Sequence, residues 1–303
     1  MKEIRNELFS VDSIRENDLL ICAFGYEPRS VYLYDKVRGR IKASNILVLY
    51  FDDYNCSEKI EALRDQKVKC VEATYNSEQF VQNEVCKFVE EKVEDTQRRN
   101  IHIDYSSMPR NWYYNLPILL DKENLKMNFW YVVGKYPIDY KAYPTAGIDR
   151  YTIIGKPSLS TEGKRLHVFG LSYDFVRTKA LISELDPDCY ITCNAFDEKN
   201  LVRESNVNFL NQQIISKAIN ELSFQFDDFS FMFSKFCELA NEYSTRGSVI
   251  FVPDGPKPLI FAMSLATLCL DKEGVSCLHI YRNELCKTCV NVEPTDVILG
   301  FSI

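Results

Sequence analysis

Glycine and proline number only 11 each in 303 residues, histidine only 3, and acidic side chains (43) outnumber basic ones (36). So little Gly and Pro beside 46% hydrophobic residues is ordinary for a folded chain, and no long stretch has a disordered composition. A net charge of −7 and a pI near 5.2 exclude a general nucleic-acid coat, because phosphate backbones are held mainly by Lys and Arg. A local basic pocket for a small anion remains open. No apolar run reaches the roughly 18 to 20 residues of a membrane span, and Met1 to Glu7 lacks the apolar core of a signal peptide. The expectation is a cytoplasmic protein that engages no membrane. Walker A, G-x-G-x-x-G, G-x-S-x-G and H-E-x-x-H signatures are missing. His102, His167 and His279 fall inside strand-like runs, where a histidine is more often packed than catalytic.

Cysteine is abundant at 11, but an odd count in a chain without an export signal does not read as a disulfide framework. Eight of them (Cys22, Cys70, Cys86, Cys189, Cys193, Cys237, Cys269 and Cys277) sit in apolar segments as small buried hydrophobes do. Cys286 and Cys289 form the one C-x-x-C, and a structural zinc normally needs a second such pair. Neither a metal site nor a cofactor is expected.

Two segments look like copies of one device: Ile101 to Arg110 and Val249 to Lys257. Each is an apolar strand-like run, a polar turn, a Pro-Arg or Pro-Lys step, and then an apolar helix. The arrangement sets a cation and free backbone N–H groups at the C-terminal end of a strand.

Around these segments, strands and helices alternate. In the first half, strands are predicted at 19–24, 45–51, 68–73, 101–105 and 128–133, with helices at 30–37, 57–66, 77–98 and 110–120. The pattern restarts with strands at 166–171, 189–193, 222–226, 248–252 and 275–281, and helices at 174–185, 208–221, 229–243 and 258–270. The fold expected is α/β, with two Rossmann-like doubly wound parallel-sheet lobes related by internal duplication. Their bounds are 1–135 and 165–303, joined by a linker or β-hairpin arm over 136–164 that is punctuated by Pro and Gly.

In a five-stranded sheet ordered 3-2-1-4-5, a crevice opens above the C-terminal ends of strands 1 and 4. In the first half this brings Gly25, Tyr26, Glu27, Arg29 and Ser30 beside Asp104, Ser106, Ser107 and Arg110. Arg29 and Arg110 can clamp phosphate or carboxylate. Glu27 and Asp104 are the candidates for acid–base work. Asp52, with Asp53, ends strand 2, where ribose hydroxyls are often held, and Tyr26, Trp112 and Tyr113 can stack on a base. The plainer reading makes Glu27–Arg29 or Asp104–Arg110 loop ion pairs, Ser107 a helix N-cap, and Trp112 and Tyr113 core residues. The second crevice gathers Ser172 and Asp174 with Asp254, Gly255 and Lys257. There, Asp174 as a helix cap and Arg177 as a surface residue are the plainer assignments.

This twin layout resembles the Rossmann-like sensor domains of prokaryotic antiviral systems, the CARF and SAVED classes. In those a loop after strand 1 and a loop after strand 4 hold a cyclic oligonucleotide. Asp104 to Arg110 and Asp254 to Lys257 stand in the second of these positions. The resemblance implies a nucleotide-binding sensor that signals to a protein partner supplying the effector activity.

Three functions follow as expectations. One is a sensor or regulatory protein that holds a nucleotide or another small phosphorylated ligand. Another is a hydrolase or transferase acting on a nucleotide or nucleoside, with Glu27 or Asp104 working beside Arg29 and Arg110. The third is a structural subunit, homo-oligomeric or part of a larger complex, whose interface uses the aromatics between Phe224 and Phe236.

Overall fold

The computed structural model describes residues 4–6, 10–51, 57–93, 98–135, 148–158, 163–197, 201–282 and 292–303. The chain divides into two compact units, Lys2–Pro137 with Cys289–Ile303, and Ile138–Thr288.

The first unit is built on a mixed seven-stranded sheet. Its strands are β1 (Arg5–Asn6), β2 (Leu19–Phe24), β3 (Ile46–Phe51), β4 (Lys69–Ala73), β5 (Arg99–Asp104), β6 (Leu125–Lys135) and, from the end of the chain, β13 (Glu293–Ser302). Their order is β1-β13-β6-β5-β2-β3-β4. Strands β2 to β6 are parallel, in the expected 3-2-1-4-5 arrangement. All six residues of both β2 and β3 are buried, as central parallel strands covered on both faces must be. Helices α1 (Tyr32–Val37), α2 (Ser57–Asp65), α3 (Glu78–Lys92), α4 (Arg110–Tyr113) and α5 (Leu116–Leu119) connect the strands.

Helix α3 buries Val81, Val85, Phe88 and Val89 and leaves Phe80 exposed. One sequence expectation changes here. The single helix expected over 110–120 is two short turns broken at Asn115. Pro117 is the cause, since its ring would clash with the carbonyl of residue 113 and it has no N–H to continue the ladder.

The second unit holds a six-stranded sheet ordered β10-β9-β8-β11-β12-β7. It consists of β7 (Ile148–Lys156), β8 (Lys164–Gly170), β9 (Cys189–Phe196), β10 (Asn220–Gln225), β11 (Gly247–Val252) and β12 (Val275–Arg282). Its helices are α6 (Phe175–Leu185), α7 (Leu201–Ile215), α8 (Phe229–Ser244) and α9 (Lys257–Leu270). Strands β8 to β12 are parallel and repeat the 3-2-1-4-5 order. Helix α7 begins and ends earlier than the 208–221 expected, because the chain must turn at 216–219 to enter β10. Five of the six phenylalanines between 224 and 236 pack into this core, and Phe231 alone is exposed.

The lobe boundaries also differ from the sequence reading. Strand β13 pairs antiparallel with β6, so the end of the 165–303 segment completes the first sheet. Strand β7, placed in the 136–164 arm, pairs antiparallel with β12 and closes the second. In each sheet an antiparallel strand covers the open side of strand 5, where exposed backbone N–H and C=O groups would otherwise remain.

The register sets the strand ends level. Cys22 of β2 stands opposite Asp104 of β5, and Phe169 of β8 opposite Val252 of β11. In each lobe the loop after strand 1 therefore lies beside the loop after strand 4.

Candidate functional site

In the first lobe β2 runs into Gly25, and Ser30 Oγ donates to the Gly25 carbonyl at 3.1 Å, which closes the loop. Arg29 is only 2% exposed. Its Nε donates to Glu27 Oε2 at 2.5 Å, and its Nη1 donates to Tyr131 Oη at 3.2 Å and to the Val132 carbonyl at 3.4 Å. The guanidinium carbon lies 5.6 Å from the centre of the Tyr131 ring. Arg29 thus crosses the end of β5 and ties the strand-1 loop to β6. Tyr26 is half-exposed beside it.

The strand-4 loop is tied to the same place. Asp104 Oδ1 accepts from the Ser106 amide at 2.9 Å and from Ser106 Oγ, and that hydroxyl accepts from the Val132 N–H at 2.8 Å. The carbonyl and amide of Val132 therefore take one loop each. Ser107 does not cap the following helix: Pro109 is the N-cap, without a side-chain bond. Arg110 is the first helical residue and is half-buried. Trp112 and Tyr113 are fully buried, Tyr113 against Tyr105 at 5.1 Å and Trp112 stacked on Phe51 at 4.9 Å. Burial pushes the phenols of Tyr105 and Tyr113 well up, so both stay neutral. Asp52, Asp53, Cys286 and Cys289 lie outside the described residues.

In the second lobe the loops meet through Asp254, which is buried. Its Oδ2 accepts from Ser172 Oγ at 3.1 Å, from Arg177 Nε at 3.1 Å and from Arg177 Nη2, while Oδ1 accepts from the Gly255 N–H at 2.8 Å. Asp174 caps α6 through the Arg177 amide at 3.1 Å and pairs with Arg177 Nη1 at 3.2 Å. Arg177 is 5% exposed, so it is an interior brace and not a surface residue. Two glycines permit this closeness. A Cβ on Gly170 would collide with the Asp254 backbone, and Gly255 has φ +92° with the Leu171 carbonyl 2.5 Å from where its Cβ would stand. Lys257, half-buried, is the first residue of α9 and follows Pro256, again an N-cap without a side-chain bond.

The structure thus brings together Gly25, Glu27, Arg29 and Ser30 in one loop, Asp104 and Ser106 in the next, and Ser172, Asp174, Asp254 and Gly255 in the second lobe. Sequence reading missed Arg177 and Asn211, whose Nδ2 donates to the Ser172 carbonyl at 2.9 Å. Arg29 and Arg177 stand at different spacings from the strand-1 glycine, so no shared motif marks Arg177. Phe24-Gly25 is followed by Arg29-Ser30, and Phe169-Gly170 by Arg177-Thr178, and all four residues of the two Arg–hydroxyl steps are buried.

Three of the described thiols are held protonated by their surroundings. Burial raises Cys22 and Cys193 well above the ordinary range and pushes Cys237 up to about 12. All three histidines are buried in strands. Among the described residues no group of three or more His, Cys, Asp or Glu is placed to hold a metal, and no helix is long and apolar enough to cross a membrane. No protein-family profile matches the chain, and no curated protein matches it.

Proposed function

We propose that this chain is a two-lobed binding protein, which holds a nucleotide or another small phosphorylated ligand over the C-terminal ends of its parallel strands. One observation, made twice, carries the reading. Pro109 (φ −56°, ψ 149°) and Pro256 (φ −70°, ψ 147°) share a backbone conformation, and each hands over to a helix whose first residue is a cation. Each stands just past strand 4 of a 3-2-1-4-5 sheet, next to the strand-1 loop. Arg110 and Lys257 supply charge for an anionic group, and the 14-residue α9 adds the positive end of its dipole.

The resemblance to CARF and SAVED sensor domains extends this proposal: the ligand is then a cyclic oligonucleotide, and a protein partner supplies the effector activity. Binding is preferred over catalysis because both candidate acid–base groups are engaged within the fold, Glu27 with Arg29 and Asp104 with Ser106.

Isothermal titration with linear and cyclic nucleotides tests the reading. Arg110→Ala and Lys257→Ala are each expected to weaken binding about tenfold at low salt, with wild-type affinity falling as salt rises. Absence of binding across the panel, or affinities indifferent to both substitutions, sinks it. Turnover detected by mass spectrometry, and abolished by Glu27→Gln or Asp104→Asn, transfers the site to the hydrolase or transferase reading.

A further inference from the structure

Arg203, in the first turn of α7, lies where three strands of the second lobe end. Its Nη1 donates to the carbonyl of Ala195, near the end of β9, at 3.1 Å. Its guanidinium carbon is 5.9 Å from the centre of the Tyr173 ring, in the loop after β8. It is 5.2 Å from the centre of the Phe226 ring, just past β10. The side chain thus reaches over the C-terminal ends of strands 1, 2 and 3 of this sheet. Arg203 is half-buried, and none of its nitrogens is both sealed from solvent and unbonded.

Scaffolding alone does not account for an arginine here. Arg177, the enclosed arginine of this lobe, is neutralised by Asp174 and Asp254. Among the described residues no carboxylate pairs with Arg203. The neighbouring Glu204 is turned toward β10, where its Oε1 accepts from Ser223 Oγ at 3.4 Å. A cation in the first turn of a 15-residue helix also stands at the positive end of the helix dipole, an unfavourable place unless an anion joins it. One N–H of the guanidinium is spent on Ala195, and the rest of the planar fork has no acceptor among the described residues. The two rings hold that fork in place, so little side-chain freedom is lost when an anion arrives. Tyr173 follows Ser172, whose hydroxyl is bonded to Asp254 of the strand-4 loop. Arg203 therefore adjoins the second crevice from its strand-2 side, and Lys257 from its strand-4 side.

We infer that Arg203 grips a phosphoryl group of the ligand in the second lobe through its guanidinium fork. The inference rests on the binding function proposed above and adds a residue that recognises the anion there. Tyr173 and Phe226 are positioning residues, which aim the fork, and the ligand supplies the counter-charge that the protein withholds.

The test titrates the full chain by calorimetry with inorganic phosphate, pyrophosphate and AMP, and with adenosine as the uncharged control. Arg203 variants are compared in an Arg110→Ala parent, where the second lobe is the one read. Arg203→Gln is expected to raise the pyrophosphate Kd about tenfold and to flatten its salt dependence. Arg203→Lys, a point charge without the fork, is expected to recover only part of that loss. Pyrophosphate is also expected to raise the thermal midpoint of the parent more than that of Arg203→Gln. If Arg203→Gln binds all three anions as the parent does, or only melts earlier at unchanged affinity, Arg203 is scaffolding and the inference is overturned. The binding function then still stands on Arg110→Ala and Lys257→Ala. If the wild type binds none of the three anions, both fall. Should Arg203→Gln not fold, Arg203→Lys carries the test, and an unchanged pyrophosphate affinity in it overturns the inference.

Discussion

Arg177 Nε donates to Asp254 Oδ2 at 3.1 Å, joining the helix after strand 1 of the second lobe to the loop after strand 4. Both side chains are nearly inaccessible, and Ser172, Gly255 and Asp174 complete the network. The first lobe solves the same problem with other partners, since Arg29 and Ser106 hold their loops on the carbonyl and amide of Val132. In both lobes the arginine that follows the strand-1 loop braces the ends of the parallel strands.

Removing Arg177 strands the Asp254 carboxylate in the interior. Arg177→Met is expected to destabilise the protein by about 3–5 kcal/mol in urea unfolding, the usual cost of breaking a buried ion pair from one side. Arg177→Met combined with Asp254→Asn is expected to cost less than the sum of the two single changes. Strict additivity would mean that the pair does not act as a unit.

Ser106 Oγ both donates to Asp104 and accepts from the Val132 N–H. Ser106→Ala leaves a buried amide without its acceptor and is expected to cost about 1–3 kcal/mol. Ser106→Thr, which keeps the oxygen, is expected to recover most of that loss, measured as the midpoint of chemical denaturation.

His167 is buried in β8, and burial pushes its pKa down from 6.5 to about 4. The unfolded chain takes up a proton at this residue near pH 6.5, which the folded protein accepts only near pH 4. Its contribution is therefore complete above pH 6.5 and is lost as pH falls from 6.5 to 4, by about 3 kcal/mol in total. Unfolding free energy measured across that window is expected to fall less steeply in His167→Gln, and an unchanged slope would refute the assignment.

Asp18 works in a lower window. Burial alone would raise its pKa, but the His102 ring at 3.2 Å, the Arg15 amide at 2.7 Å and Asn100 at 3.2 Å together hold it below 3.8. Its stabilisation is present above the unfolded pKa and disappears as pH falls through the depressed folded value. The stability gap between wild type and Asp18→Asn is expected to stay level above pH 4 and to narrow below it. A gap that widens on acidification would contradict this sign.

Much of the scaffold was legible from local pattern. The runs Leu19–Phe24 and Ile46–Phe51 are apolar throughout, which only a strand buried on both faces tolerates. The alternation of such runs with helices leads to the parallel sheet and its crevice. Among the site residues, Asp254 and Lys257 could be placed because each follows a recognisable strand. Arg177 could not, since an arginine one turn into a helix reads as solvent-facing until a carboxylate 77 residues later is known to lie against it.

The amino-acid sequence by itself determined the α/β class, the repeated strand order, and the two Pro–cation steps after strand 4. These depend on apolar periodicity and on the fixed φ of proline, which are local properties. Tertiary structure decided that β13 completes the first sheet and β7 the second, because an open strand edge accepts any segment of suitable length that reaches it. It also decided that Arg29 and Arg177 turn inward. The direction of a charge or a donor depends on what surrounds it after the strands are aligned, and no spacing in the chain encodes that.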